Sequence, residues 1–120
     1  MARNLKLPIQ TDKRLIERKL SSQAIADQDF EEDLMQLWSQ PTFSFVGGES
    51  NQQAQQRALA LLHKLESKHQ NEEIIISSHG NLICILLSAF DSNIDYNFWH
   101  NLSMPDVLVL DKDERITHLP

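Results

Sequence analysis

Apolar residues recur at the spacing of a helix face in two long stretches of the chain. The first stretch is predicted to form a helix over residues 30–38. The second is a longer predicted helix from Ser50 to about His69, and it opens on the Ser-x-x-Gln pattern of a capping box. Residues 2–7 have the pattern of the last turns of a helix that stops before Pro8.

Two shorter runs are continuously apolar and rich in β-branched residues, which is typical of strands covered on both faces. The first is predicted to be a buried strand over Glu73–Ser78, followed by an apolar helix over Asn81–Phe90. The second is predicted to be a buried strand over Val107–Leu110, followed by a turn and an edge strand over Arg115–Leu119. A strand that passes through a tight turn into a helix is the building unit of a parallel α/β sheet. The 120 residues therefore predict a single α/β domain.

The composition narrows the classes of partner and cofactor. The chain has 17 acidic and 11 basic side chains and a formal net charge of -6, so we expect no nucleic-acid or membrane partner. No apolar window is long enough for a membrane span. Cys84 is the only cysteine, which excludes an internal disulfide and favours a reducing, cytoplasmic location. The five histidines include no pair at helical spacing and no cysteine cluster accompanies them, so we expect neither a metal nor another cofactor.

His79 is the strongest candidate for chemistry. It lies between the predicted Glu73–Ser78 strand and a helix, where open α/β sheets bind ligands and helix N–H groups can hold a phosphate. A histidine there can hydrogen-bond a phosphoryl oxygen or transfer a proton, although a purely structural histidine that caps the helix is the competing interpretation. Ser77 lies two positions away, but a Ser-His nucleophile pair is disfavoured because no orienting carboxylate is near in the sequence.

Three short motifs occur in order along the chain: Leu15-Ile16-Glu17-Arg18, then Gly48-Glu49-Ser50 leading to Arg57, then Ser78-His79-Gly80. Together they resemble the histidine phosphatase superfamily, the phosphoglycerate-mutase-like proteins. The resemblance implies a three-layer α/β/α fold with a mostly parallel sheet, and the hydrolysis of a phosphomonoester. It also implies catalytic roles for His79 and Glu17, and phosphate or substrate binding by Gly48, Glu49, Ser50 and Gly80. The implied ligand is a phosphorylated small molecule or free phosphate.

One part of the family's pattern is missing. In the family an early strand ends in Arg-His-Gly, whose histidine accepts the phosphoryl group, and no Arg-His-Gly occurs in this sequence. The resemblance therefore implies the C-terminal portion of a histidine phosphatase-like domain, truncated at its N-terminus. In that portion His79 matches the family's second histidine, which binds phosphate. Because loss of a nucleophile costs several orders of magnitude in rate, we expect this chain alone to be weakly active or inactive.

Three interpretations stay open at this point. The leading one is a truncated phosphatase-family member. The second is a non-catalytic pseudophosphatase that acts as an oligomerising or anion-binding module, and the third is an unrelated small α/β domain in which His79 is structural. The missing strand would also leave the backbone edge of Ile74-Ile75-Ile76 exposed, so we expect a homodimer.

Overall fold

Helices dominate the computed structural model of the chain, which describes residues 8–21, 27–103 and 106–118. The predicted helix end over residues 2–7 lies outside the described residues. A 3₁₀ turn at Lys13–Leu15 precedes all the other described elements, and those elements are, in order, α1 (Asp27–Ser39), α2 (Asn51–Lys68), α3 (Gly80–Leu87), α4 (Tyr96–His100), β1 (Leu108–Leu110) and β2 (Ile116–His118). None of the described helices is both long and apolar enough to span a membrane.

The helix predictions that fall within the described residues are confirmed, with shifted ends. Helix α2 starts on the predicted capping box: the Ser50 hydroxyl accepts from the Gln53 N–H at 3.1 Å, and the Gln53 side chain accepts from the Ser50 N–H at 2.9 Å. It ends with His69 as its C-cap. Helix α3 stops three residues before the predicted Phe90 because the backbone tightens into i→i−3 hydrogen bonds there, from the Ala89 N–H to the Leu86 carbonyl at 3.2 Å and from the Phe90 N–H to the Leu87 carbonyl at 2.9 Å.

Helix α3 is the centre of the core. Its Leu82 and Ile85 pack against α2, where the small residues Ala54 and Ala58 let the two helices approach closely. Its opposite side, with Cys84, packs against α4 and the β1–β2 hairpin. Burial raises the pKa of the Cys84 thiol to about 12, so the single cysteine is an apolar core residue.

The strands β1 and β2 form an antiparallel hairpin in which Leu108 is opposite His118. The Asp111 carboxylate accepts from the backbone N–H groups of Asp113 and Arg115, and Glu114 has a positive φ of 62°. These interactions form the predicted turn. Residues of β1 alternate between half-buried and exposed, so the predicted fully buried strand is wrong: the hairpin covers the core with one face only.

The prediction of a strand over Glu73–Ser78 is also wrong for the described structure. No strand forms there, and the described residues contain one two-stranded antiparallel sheet, without the mostly parallel sheet that was predicted. A strand exists only where a neighbouring strand pairs with its backbone, and no described residue supplies that neighbour. Ile75 is consequently 67% exposed and Ile74 is 41% exposed.

Candidate functional site

The Glu17 loop, which we define as residues 12–21, runs from the 3₁₀ turn towards the start of α2. Asp12 fixes its first end, because its carboxylate caps the turn at the Arg14 N–H and binds the Arg14 guanidinium at 2.9 and 3.0 Å. These bonds lower the pKa of the Asp12 carboxyl to about 2. The loop therefore has a defined conformation although it has little regular secondary structure.

A close backbone contact joins the Glu17 loop to the residues before α2. The Glu49 N–H donates to the Lys19 carbonyl at 2.8 Å. At Gly48 a Cβ atom would lie 2.1 Å from the Leu20 carbonyl oxygen, far inside any allowed contact. Glycine is therefore the residue that allows this approach.

Arg18 connects the same loop to α2 from within the protein. Its side chain is 4% exposed, and it donates from Nη1 to the Asn51 side-chain oxygen at 2.5 Å and from Nη2 to the Glu49 carbonyl at 2.6 Å. Burial lowers the pKa of the Arg18 guanidinium, and the Glu49 and Glu17 carboxylates act in the opposite direction. The arginine clamps the loop onto the first turn of α2.

An ion pair between Glu49 and Arg57 completes this attachment. Arg57 binds both oxygens of the Glu49 carboxylate, at 2.7 and 2.8 Å, and it donates from Nη1 to the Arg14 carbonyl at 2.7 Å. The Arg57 hydrogen bonds lower the pKa of the Glu49 carboxyl, and they raise the pKa of Arg57. The carboxylate of Glu49 is thus occupied by a neighbouring arginine.

The other side of the Glu17 loop contacts the start of α3. The Ser78 hydroxyl donates to the Leu15 carbonyl at 2.6 Å. The Glu17 Oε1 atom accepts from the Leu82 N–H at 3.0 Å and from the Arg18 N–H at 2.9 Å. Because Leu82 is in the first turn of α3, the Glu17 carboxylate caps a helix from a position 65 residues away in the sequence.

His79 is the N-cap residue of the same helix, but its side chain makes no capping hydrogen bond. The residue is exposed, so its imidazole is accessible to a ligand. In the described part of the chain, the N–H groups of Gly80 and Asn81 have no acceptor. Two free N–H groups, an accessible imidazole and the positive end of a helix can together hold an anion.

The predicted site residues therefore fall into two groups. His79, Gly80 and Glu17 meet at the first turn of α3. Gly48, Glu49 and Ser50 lie at the start of α2, where their contacts are a backbone approach, an ion pair and a capping box. The Glu17 loop is shared by both groups. A phosphate-binding role for the second group stays a prediction.

The sequence analysis assigned no role to two residues that build this site: Arg18, which it named only as part of the Leu15-Ile16-Glu17-Arg18 motif, and Asn51. Arg18 stands between Glu17 and Lys19, and three consecutive charged residues are typical of a solvent-exposed surface segment. Its burial is visible only in the folded chain. Among the residues that the structure describes, no group of three or more histidine, cysteine, aspartate or glutamate side chains is placed to hold a metal ion.

Comparison with known proteins adds a family assignment to this geometry. The family model described as histidine phosphatase superfamily (branch 1) matches residues 1–111 of the chain. The matched range includes the Glu17 loop and the starts of α2 and α3. No curated protein and no solved structure matches the chain.

Proposed function

The chain belongs to the histidine phosphatase superfamily, a family of α/β proteins, and from this premise we propose that the first turn of α3 is a phosphate-binding site for a phosphomonoester or free phosphate. His79 would donate to a phosphoryl oxygen, the Gly80 N–H would bind a second oxygen, and Glu17 would exchange a proton with the ligand. In this proposal the three-layer α/β/α architecture with its mostly parallel sheet belongs to the complete fold of the family.

One observation carries the proposal. The Glu17 carboxylate is hydrogen-bonded to the Leu82 N–H, in the turn that begins at His79. The carboxylate caps the helix, and the same contact holds an acidic side chain at the helix terminus where His79 is the N-cap residue. A proton donor and a phosphate ligand must converge in this way, because phosphoryl transfer depends on positioning.

The chemistry available to these 120 residues is limited. Hydrolysis through a phosphohistidine needs a nucleophilic histidine in line with the leaving group, and the sequence has no Arg-His-Gly element to supply it. The Glu17 carboxylate also places a negative charge beside the ligand, which weakens anion binding unless cations compensate. We therefore propose that this polypeptide binds phosphate and hydrolyses phosphomonoesters weakly or not at all.

The second candidate function is a non-catalytic one, in which the chain is a pseudophosphatase that binds an anion or oligomerises. The exposed Ile74 and Ile75 favour it, since an apolar extended segment at the surface is typical of an interaction site. We propose a homodimer formed through this segment as the partner in either case. A cytoplasmic location is proposed from the free thiol of Cys84.

Titration of the ¹⁵N-labelled chain with inorganic phosphate tests the proposed site. We expect the amide signals of Gly80 and Asn81 and the ring signals of His79 to shift, and we expect His79→Ala to weaken the response. His63→Ala is the matched control, because His63 is an exposed histidine on another helix, α2. Phosphate-induced shifts that are equal in the wild type and in His79→Ala would reject the site.

Hydrolysis of p-nitrophenyl phosphate separates the two candidate functions. No turnover above background is expected from the pseudophosphatase, and slow turnover that depends on His79 is expected from the weak enzyme. Rapid turnover abolished by His79→Ala would contradict the proposal that the chain is weakly active or inactive because it lacks the nucleophilic histidine.

A further inference from the structure

Arg18 is buried more deeply than its role as a loop anchor requires. Only 4% of its surface is exposed, and its Nε–H is buried without an acceptor among the described residues. Burial of a guanidinium is costly, and apolar residues of similar volume often hold a loop at least as well. The distinctive property of arginine is geometric, because its planar group makes several hydrogen bonds in fixed directions.

The hydrogen bonds of the Arg18 side chain also affect Glu17, the residue before it in the sequence. Nη1 binds the Asn51 side chain in the first turn of α2, and Nη2 binds the Glu49 carbonyl just before that helix. The backbone N–H of Arg18 donates to the Glu17 Oε1 atom at 2.9 Å. The dipeptide Glu17-Arg18 therefore joins the starts of two helices, with the arginine on α2 and the glutamate on α3.

The Glu17 carboxylate is held on one side only. Oε1 accepts two N–H groups, from Arg18 and Leu82, whereas Oε2 has no hydrogen-bond partner among the described residues. A carboxylate bound through one oxygen keeps a fixed orientation and leaves the other oxygen for a ligand. Its orientation depends on where the backbone of residue 18 lies.

We propose that Arg18 is a positioning residue that holds the Glu17 carboxylate against the first turn of α3, with Oε2 left for the ligand. The Glu49–Arg57 ion pair supports it, because Glu49 supplies the carbonyl that Arg18 binds. This inference rests on the proposed phosphate site for its function. Its structural content, the dependence of the Glu17 carboxylate on Arg18, can be measured without phosphate.

The measurement is a pH titration of the ¹⁵N-labelled chain, observed at the Leu82 amide. The Glu17 carboxylate accepts from this amide, so the Leu82 signal in the wild type should follow the protonation of Glu17. Glu17→Gln should remove that response and so identify it. Arg18→Met should also remove it, whereas Lys19→Met should keep it. Lys19→Met is the matched control, because Lys19 is exposed in the same loop and its loss changes the net charge equally.

A purely structural role gives a different result. In that case Arg18→Met would lower the melting temperature, but the Leu82 signal of the folded protein would titrate as in the wild type, and the inference would be overturned. If Arg18→Met fails to fold, Arg18→Lys replaces it. Lysine keeps the charge and lacks the planar group, so a lost Leu82 response supports positioning and a wild-type response overturns it.

Phosphate binding is judged separately in the same samples. If phosphate leaves the Gly80 and His79 signals of the wild type unchanged, the proposed site is wrong, and the Leu82 titration still decides the role of Arg18. If phosphate shifts those signals, Arg18→Met should weaken that response and Lys19→Met should not. A loss of the Leu82 titration in Arg18→Met with wild-type phosphate binding would overturn the functional part of the inference.

Discussion

Gly48 is the residue for which the structure gives the simplest steric prediction. Replacement by alanine would place a Cβ atom 2.1 Å from the Leu20 carbonyl oxygen, and backbone atoms on both sides would have to move. We expect Gly48→Ala to lower the free energy of unfolding by roughly 1–3 kcal/mol, the usual cost of overpacking. Chemical denaturation measures it. Gln52→Ala is the control, and because Gln52 is exposed in α2 it should change the free energy of unfolding by about 0.5 kcal/mol or less. Equal effects of the two substitutions would mean that the Glu17 loop can shift to accommodate the added methyl group without loss of stability.

The sequence is least informative at Ile16 and Arg18. Ile16 is 61% exposed and Arg18 is 4% exposed, the reverse of what their polarity predicts. Arg18 is buried because its hydrogen-bond acceptors, the Glu49 carbonyl and the Asn51 side chain, are 31 and 33 positions away, and no local pattern encodes such contacts. The pairing of Glu17 with the helix of His79 followed from family resemblance, since a lone glutamate between Ile16 and Arg18 carries no signal of its own.

At the scale of elements, local information predicts helices well and strands poorly. The capping box at Ser50 and the apolar face of α2 are both contained within a few turns, so the helix was predicted almost to its ends. The extended segment over Glu73–Ser78 has the composition of a strand. Its pairing depends on a neighbour elsewhere, and composition cannot show whether that neighbour is present.

The attachment of α2 to the Glu17 loop should depend on pH through Glu49. The folded-state pKa of this carboxyl lies below its ordinary value of 4.5, because Arg57 hydrogen-bonds the charged form. The ion pair therefore stabilises the fold fully above about pH 4.5, and this contribution is lost as the pH falls through the folded-state pKa. The side chains are 20% and 25% exposed, so the contribution should be about 1 kcal/mol or less.

Melting temperatures between about pH 3 and pH 6 measure this dependence, a window that spans the ordinary carboxyl pKa. Glu49→Gln should flatten the acid limb of the curve and lower the melting temperature at the upper end of the range. Glu66→Gln is the control, because Glu66 is exposed on the same helix and has no ion pair among the described residues. If both variants keep the wild-type curve, the ion pair does not stabilise this attachment.

At the scale of the whole molecule, the described fold has a covered side and an open side. Helices α2 and α4 and the hairpin enclose α3, which accounts for the two core clusters. The segment before α3 lacks such cover, and Ile75 is 67% exposed. The candidate site lies where these two sides meet, because His79 directly follows the open segment. We therefore expect the conformational order of the candidate site to depend on whether this segment pairs with another strand.

The open segment supports a specific prediction about self-association. An antiparallel pair of two copies about Ile75 would place Ile74 opposite Ile76 and Glu73 opposite the uncharged Ser77. A parallel pair in register would place Glu73 opposite Glu73, and like charges directly opposite each other are destabilising.

We expect a dimer at micromolar concentrations by analytical ultracentrifugation. Ile75→Lys should convert the dimer to a monomer without unfolding, because Ile75 already faces solvent. Val46→Lys is the control and should leave the chain dimeric, because Val46 is 83% exposed and lies outside the segment. A wild-type chain that sediments as a monomer throughout this range would show that the open segment does not pair with a second copy.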